Sequence, residues 1–196
     1  AYVLKDEPYL RKLGVAGVIG GSLFRNVVLT IDSKRKKITT SVPYRPSYMK
    51  LDYRVGMELT ERTGIKSSVA IDGNNYPVWL DTWYSGTIAM TSDAFEQLEG
   101  VQAGEAILAE GYKEMQKTNA TKMVKSLDFV KTHLNDVVVV ENKKLKYSIL
   151  GTGILREGII SIDFQRMKIY FQPFDLVIVK DETIDEQAAE VVCGKL

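Results

Sequence analysis

The sequence predicts an all-β fold, and three observations carry the prediction. Glycine and polar clusters cut the 196 residues into many short apolar segments, a spacing that suits strands better than helices. Turn chemistry such as Ile71-Asp72-Gly73-Asn74 stands between two of these segments, as a hairpin requires. A stretch of 23 residues also occurs twice: residues 18–40 and 149–171 align without a gap at an offset of 131.

Taken in chain order, strands are expected at 27–31, 37–42, 67–71, 78–81, 87–90, 137–141, 159–163 and 168–172. The first two belong to the first copy of the repeat, and the last two to the second. Seven of the 23 aligned positions are identical, among them Gly20/Gly151, Arg25/Arg156, Asp32/Asp163 and Arg35/Arg166. Most others exchange like for like, so duplication explains the register better than a shared turn does. Each unit begins with two bulky apolar residues and a glycine, Val18-Ile19-Gly20 and Ile149-Leu150-Gly151. This pattern suits a buried strand end that another backbone approaches closely. A helical turn, a strand ending in Ile-Asp, a basic turn and a return strand follow. Asp32 and Asp163 are expected at exposed turn starts, capping their own backbone, and Lys34-Arg35-Lys36-Lys37 at a solvated hairpin tip.

Two short helices are expected. One starts at Asp93 and Glu96 and ends at Gly100; the other follows the capping box Thr183-x-x-Glu186 and stops before Gly194. Residues 105–126 carry the alanines, glutamates and lysines of a helix, but Gly111 and Asn119 interrupt them, so that stretch is left open.

Composition narrows the function. With 26 basic and 25 acidic side chains, the net charge of +1 offers no electrostatic footprint for nucleic acid. One cysteine, Cys193, and one histidine, His133, exclude a disulfide framework and a Cys/His zinc cluster, so no metal is expected. The longest strongly apolar run, 137–140, is far short of a membrane span. A Cys193–His133 pair or a Ser-His-Asp set would have to use the one histidine, and no nucleophile elbow is present. His133 reads as an ordinary strand residue. Tyr112 is a candidate for a loop over a cleft.

Residues 149–174, ILGTGILREGIISIDFQRMKIYFQPF, resemble the C-terminal half of a lobe in the pepsin/retropepsin-like aspartic peptidases. The family's other signature, a hairpin leading into apolar-apolar-Asp-Thr-Gly-x-Ser, is matched in 68–90, SVAIDGNNYPVWLDTWYSGTIAM. The interval of 70 residues from Asp81 to Gly151 suits one lobe. The resemblance implies a divergent bacterial-type member of double-lobe β-barrel or sandwich architecture, with about one and a half lobes present. Residues 1–50 would be the second half of a first lobe, 51–174 a complete second lobe, and 175–196 a strand and short helix tail. It further implies Asp81 as a catalytic aspartate, supported by Thr82, Trp83, Ser85, Gly86, Ile149, Leu150 and Gly151. The partner would be a polypeptide substrate or peptide ligand. No cofactor is implied, because carboxylates and water suffice.

Two departures from the family pattern open a second reading. Trp83 stands where the motif has glycine, so it is either a core or cleft-lining side chain or a platform for a ligand. The offset also puts the partner aspartate about 50 residues before Ala1 (81 − 131 = −50). A homodimer or an N-terminal segment would then have to supply it. A catalytically inactive homologue that binds peptides is the alternative, and a structural piece with no cleft function a third. The start Ala1–Asp6 shows no signal peptide; a cytosolic site fits, and so does a periplasmic, secreted or lipoprotein one if a leader has been removed.

Overall fold

In a computed structural model, the described residues are 14, 19–60, 64–110 and 115–176. Tyr112, Cys193 and the helix expected after Thr183 lie outside them. The strands number β1 (Val28–Asp32), β2 (Lys37–Ser41), β3 (Arg54–Gly56), β4 (Glu58–Thr60), β5 (Gly64–Ile71), β6 (Asn74–Asp81) and β7 (Ile88–Met90). After helix α1 (Ser92–Glu96) come β8 (Val101–Glu110), β9 (Met115–Phe129), β10 (Thr132–Glu141), β11 (Ile149–Gly151), β12 (Gly158–Asp163) and β13 (Lys168–Pro173). The fold is all-β, as expected.

Two sheets form. One has the order β2-β1-β12-β13-β3; the other has β4-β5-β6-β11-β7-β10-β9-β8, with β5 also pairing β9. They pack face to face, because one core cluster draws Leu29, Ile160, Ile162, Ile169 and Phe171 from the first sheet and Val69, Val78, Ile88, Leu127 and Val139 from the second. The β-branched runs of β1 and β12 suit a pleated surface. Their alternation decides which face each residue joins: Ile160 and Ile162 enter that core, while Ile159 turns the other way to pack with Met49 and Tyr170. The segment after β2 straps this outer face. There Arg45 Nε donates to the Met49 carbonyl at 2.6 Å, and the Lys50 N–H to Gln172 Oε1 at 3.3 Å.

The repeat has a geometric counterpart. β1 pairs β12 antiparallel with Thr30 opposite Ser161, Leu29 opposite Ile162 and Ile31 opposite Ile160. Thr30 and Ser161 are equivalent positions of the repeat, and their hydroxyls meet at 2.6 Å across 131 residues. The flanking pairs exchange equivalent positions, so a local twofold axis passes between Thr30 and Ser161. The basic turns repeat each other's contacts. Asp32 accepts from the Arg35 N–H at 3.0 Å and from its Nη1 at 2.7 Å. Asp163 accepts from the Arg166 N–H at 2.9 Å and from its Nη1 at 3.0 Å.

Four expectations need correcting, the first of them the buried strand end at Val18-Ile19-Gly20: Ile19 is 67% exposed and neither it nor Gly20 lies in a strand. Asp32 and Asp163 are not exposed turn starts: they are 6% and 2% exposed, because the arginine three residues on folds over each carboxylate and compensates its burial. Of the stretch 105–126, which the sequence left open, residues 105–110 fall in β8 and 115–126 in β9, paired antiparallel, so strand pairing prevails over helical propensity there. The helix expected from Asp93 to Gly100 ends at Glu96. The strand expected at 137–141 begins at Thr132; the polar residues His133, Asn135 and Asp136, the last at φ +51°, mask its start. The tip Lys34–Lys37 is exposed, as expected. None of the described helices is long and apolar enough to cross a membrane.

Candidate functional site

Asp81 is the last residue of β6, where that strand runs parallel to β11 with Asp81 opposite Gly151 and Leu80 opposite Leu150. The parallel pairing is what brings the two halves of the motif together across 70 residues. The loop leaving Asp81 turns back at once. Its Oδ1 accepts the Trp83 N–H at 2.8 Å, an Asx-type turn that orients the carboxylate.

The next residues are gripped by the segment after β11. Gly151 N–H donates to the Thr87 carbonyl at 2.9 Å, Thr152 N–H to Tyr84 at 2.8 Å and Gly153 N–H to Gly86 at 3.0 Å. The Thr152 hydroxyl adds a bond to the Tyr84 carbonyl at 3.1 Å. A Cβ on Gly151 would overlap the carbonyl oxygens of Tyr84 and Gly86, so only glycine allows so close an approach. Ile149 and Leu150 are buried beneath the loop.

Thr82 and Ser85 are exposed, and the bracing bonds run instead through Thr152, Gly153 and the Tyr84 carbonyl. These were missed because their role is carried by backbone groups, which no side-chain motif reports. The core reading of Trp83 is corrected: its side chain is 55% exposed beside Asp81. Tyr84, partly buried, lies over Gly86 and Gly151, and burial pushes its hydroxyl up to about 12.

A cavity of about 570 Å³ opens between this loop and β10, bordered by Tyr84, Thr87, His133, Asp136 and Glu157. At its rim His133 Nδ1 meets Asp128 Oδ1 at 2.7 Å and Nε2 meets Asn135 Oδ1 at 3.1 Å. The hydrogen bond to Asp128, then its charge, holds the imidazole above its ordinary 6.5. A raised value means that His133 adds to stability fully below the unfolded-state pKa, and that this support is lost as pH rises through the folded-state value. An NMR titration of the His133 ring should therefore have its midpoint above 6.5, and Asp128→Asn should bring it down. A midpoint at or below 6.5 in the unaltered protein would refute the pairing. Among the described residues no group of three or more His, Cys, Asp or Glu is placed to hold a metal ion.

A strand ending in Asp81, a loop that turns back from it and the residues 151–153 that grip that loop are thus held within an all-β fold of two stacked sheets. Several solved structures are similar to the chain at low identity. They include a retropepsin-like aspartic protease from Rickettsia conorii, 16% identical, covering 60% of this chain and 87% of its own, with TM-score 0.44. EIAV protease complexed with the inhibitor HBY-793 is 18% identical over 50% of this chain and 90% of its own, TM-score 0.39. Soybean basic 7S globulin is 10% identical over 78% of this chain and 52% of its own, TM-score 0.39. No family model and no curated protein matches the sequence. These likenesses bear on the fold alone.

Proposed function

We propose that the chain is a divergent, bacterial-type member of the pepsin/retropepsin-like peptidases and carries one aspartate of a catalytic pair, Asp81, acting on extended polypeptides. The observation behind the reading is the placement of Asp81 opposite Gly151, on a loop held by the backbone of residues 151–153. In the proposed chemistry a second carboxylate faces Asp81 and the two share a water. Carboxylates that close cannot both ionise, so one keeps a proton and acts as acid while the other activates the water.

The second aspartate is proposed to come from another lobe. The local twofold supports this, together with the duplication that would have produced it. Leu150, Ile154 and Ile169 are 1%, 2% and 0% exposed, whereas their equivalents Ile19, Leu23 and Ile38 are 67%, 71% and 69% exposed. The first copy of the repeat thus presents the surface that the second copy buries beneath its own lobe. On this reading residues 1–50 close a first lobe and 51–174 form a second. An N-terminal segment or another molecule supplies what covers Ile38.

In the natural full-length protein, Asp81→Asn is expected to abolish acid-favoured, pepstatin-sensitive proteolysis, a loss of about 10³-fold or more. Unchanged activity in that variant would sink the proposal. The exposed indole of Trp83 favours a second reading, an inactive homologue that binds peptides in the same cleft. It expects no turnover, a fluorescence change on adding an extended peptide, and no activity gained in Trp83→Gly. Clear proteolysis by the unaltered protein excludes it.

A further inference from the structure

Charge is divided unevenly between the two sheets. Residues 28–56 and 158–173, which form the five-stranded sheet and its strap, hold nine lysines and arginines against three aspartates. Residues 57–157 hold eleven against fourteen acidic residues. Within the basic part, Asp32 and Asp163 are buried and each is bonded to an arginine, while Asp52 pairs with Lys131 at 3.1 Å. Lys34, Lys36 and Lys37 are exposed at one end of the sheet.

Apolar side chains are interleaved with these cations. The strap over the outer face leaves Val42, Tyr44, Leu51 and Tyr48 exposed by 69%, 62%, 57% and 44%. Beneath them Arg166 lies 4.9 Å from the Tyr44 ring, Arg45 lies 5.2 Å from Tyr170, and Lys50 lies 5.5 Å from Tyr53. The eight-stranded sheet, Asp81 included, packs against the opposite face.

We propose that this outer face docks on a membrane surface of anionic phospholipid. The lysines of the β1–β2 turn meet the headgroups, and the strap inserts its apolar side chains at the interface. Basic residues near such a surface are attracted by its negative potential, and tyrosines favour the headgroup level. Nucleic acid would satisfy the cations equally, but it offers nothing to the aliphatic Val42 and Leu51. The surface is independent of whether Asp81 is catalytic.

The test is co-sedimentation of the whole chain with vesicles of phosphatidylcholine alone or with about 30% phosphatidylglycerol, at about 0.1 M and about 1 M salt. Binding to the anionic vesicles should exceed binding to neutral ones about tenfold or more, and should fall sharply at the higher salt. Lys34→Glu with Lys37→Glu should remove about a tenfold share. Tyr44→Ser with Leu51→Ser should weaken binding without changing its salt dependence. These positions are exposed, and unchanged circular dichroism and Tm would show that the variants fold. Equal binding to both vesicle types, no binding to either, or tighter binding to duplex DNA than to the anionic vesicles each overturns the proposal.

Discussion

Gly151→Ala is expected to destabilise the fold by about 3 kcal/mol and to lower the Tm by roughly 6–12 °C. The added methyl would overlap backbone, and the near edge of the Tyr84 ring, rather than the far end of a flexible side chain. It meets the carbonyl oxygens of Tyr84 and Gly86, both fixed by hydrogen bonds from residues 152 and 153. The loop must therefore move away from β11, breaking the bonds that position it and shifting the Asp81 carboxylate with it. Thermal unfolding by circular dichroism reads the stability. The wavelength of Trp83 emission reads the loop, although Trp79, packed on Tyr147 at 4.3 Å, contributes a background. A variant as stable as the parent would show that the 84–87 loop can slide, and that the glycine grip does not set its position.

Ile169→Ala and Ile38→Ala, equivalent positions of the repeat, are expected to differ widely. Ile169 is fully buried in the core between the sheets, so its truncation leaves a cavity and costs about 3 kcal/mol. Ile38 is 69% exposed on the matching strand of the other repeat, and its truncation should change stability by less than about 0.5 kcal/mol in the chain alone. Urea unfolding of the two variants measures the contrast. Addition of a covering lobe should raise the cost of Ile38→Ala toward that of Ile169→Ala. Equal costs in the chain alone would mean that Ile38 is already packed, and would remove the main support for the proposed covering lobe.

These two predictions also mark what the sequence could convey. The β1–β2 and β12–β13 hairpins were legible because each writes its instructions locally: a β-branched strand, an aspartate and basic turn, a β-branched return. The same holds for the turn at Asp72-Gly73 and for the strand that ends at Asp81. Identical residues at a constant offset then announced a repeated unit before any packing was known. Burial of Asp32 and Asp163 was not legible, since it depends on an arginine side chain folding back over each carboxylate. The β8–β9 hairpin was hidden for a related reason: its residues favour a helix by composition, and pairing with β10 and β5 decides otherwise.

By itself, then, the sequence determined the all-β class, most strand positions, the recurrence of the 18–40 pattern at 149–171 and the aspartate at the end of β6, all matters of short-range chemistry and periodicity. Only the tertiary structure decided what grips the Asp81 loop, that Trp83 faces solvent, and that the two repeats meet about a twofold axis at Thr30 and Ser161. It also decided that the five-stranded sheet and its strap share an excess of positive charge, nine lysines and arginines against three aspartates. Each of these depends on which distant segments share a surface. Backbone hydrogen bonds, exposure and electric field are properties of that arrangement, and residue order alone does not carry them.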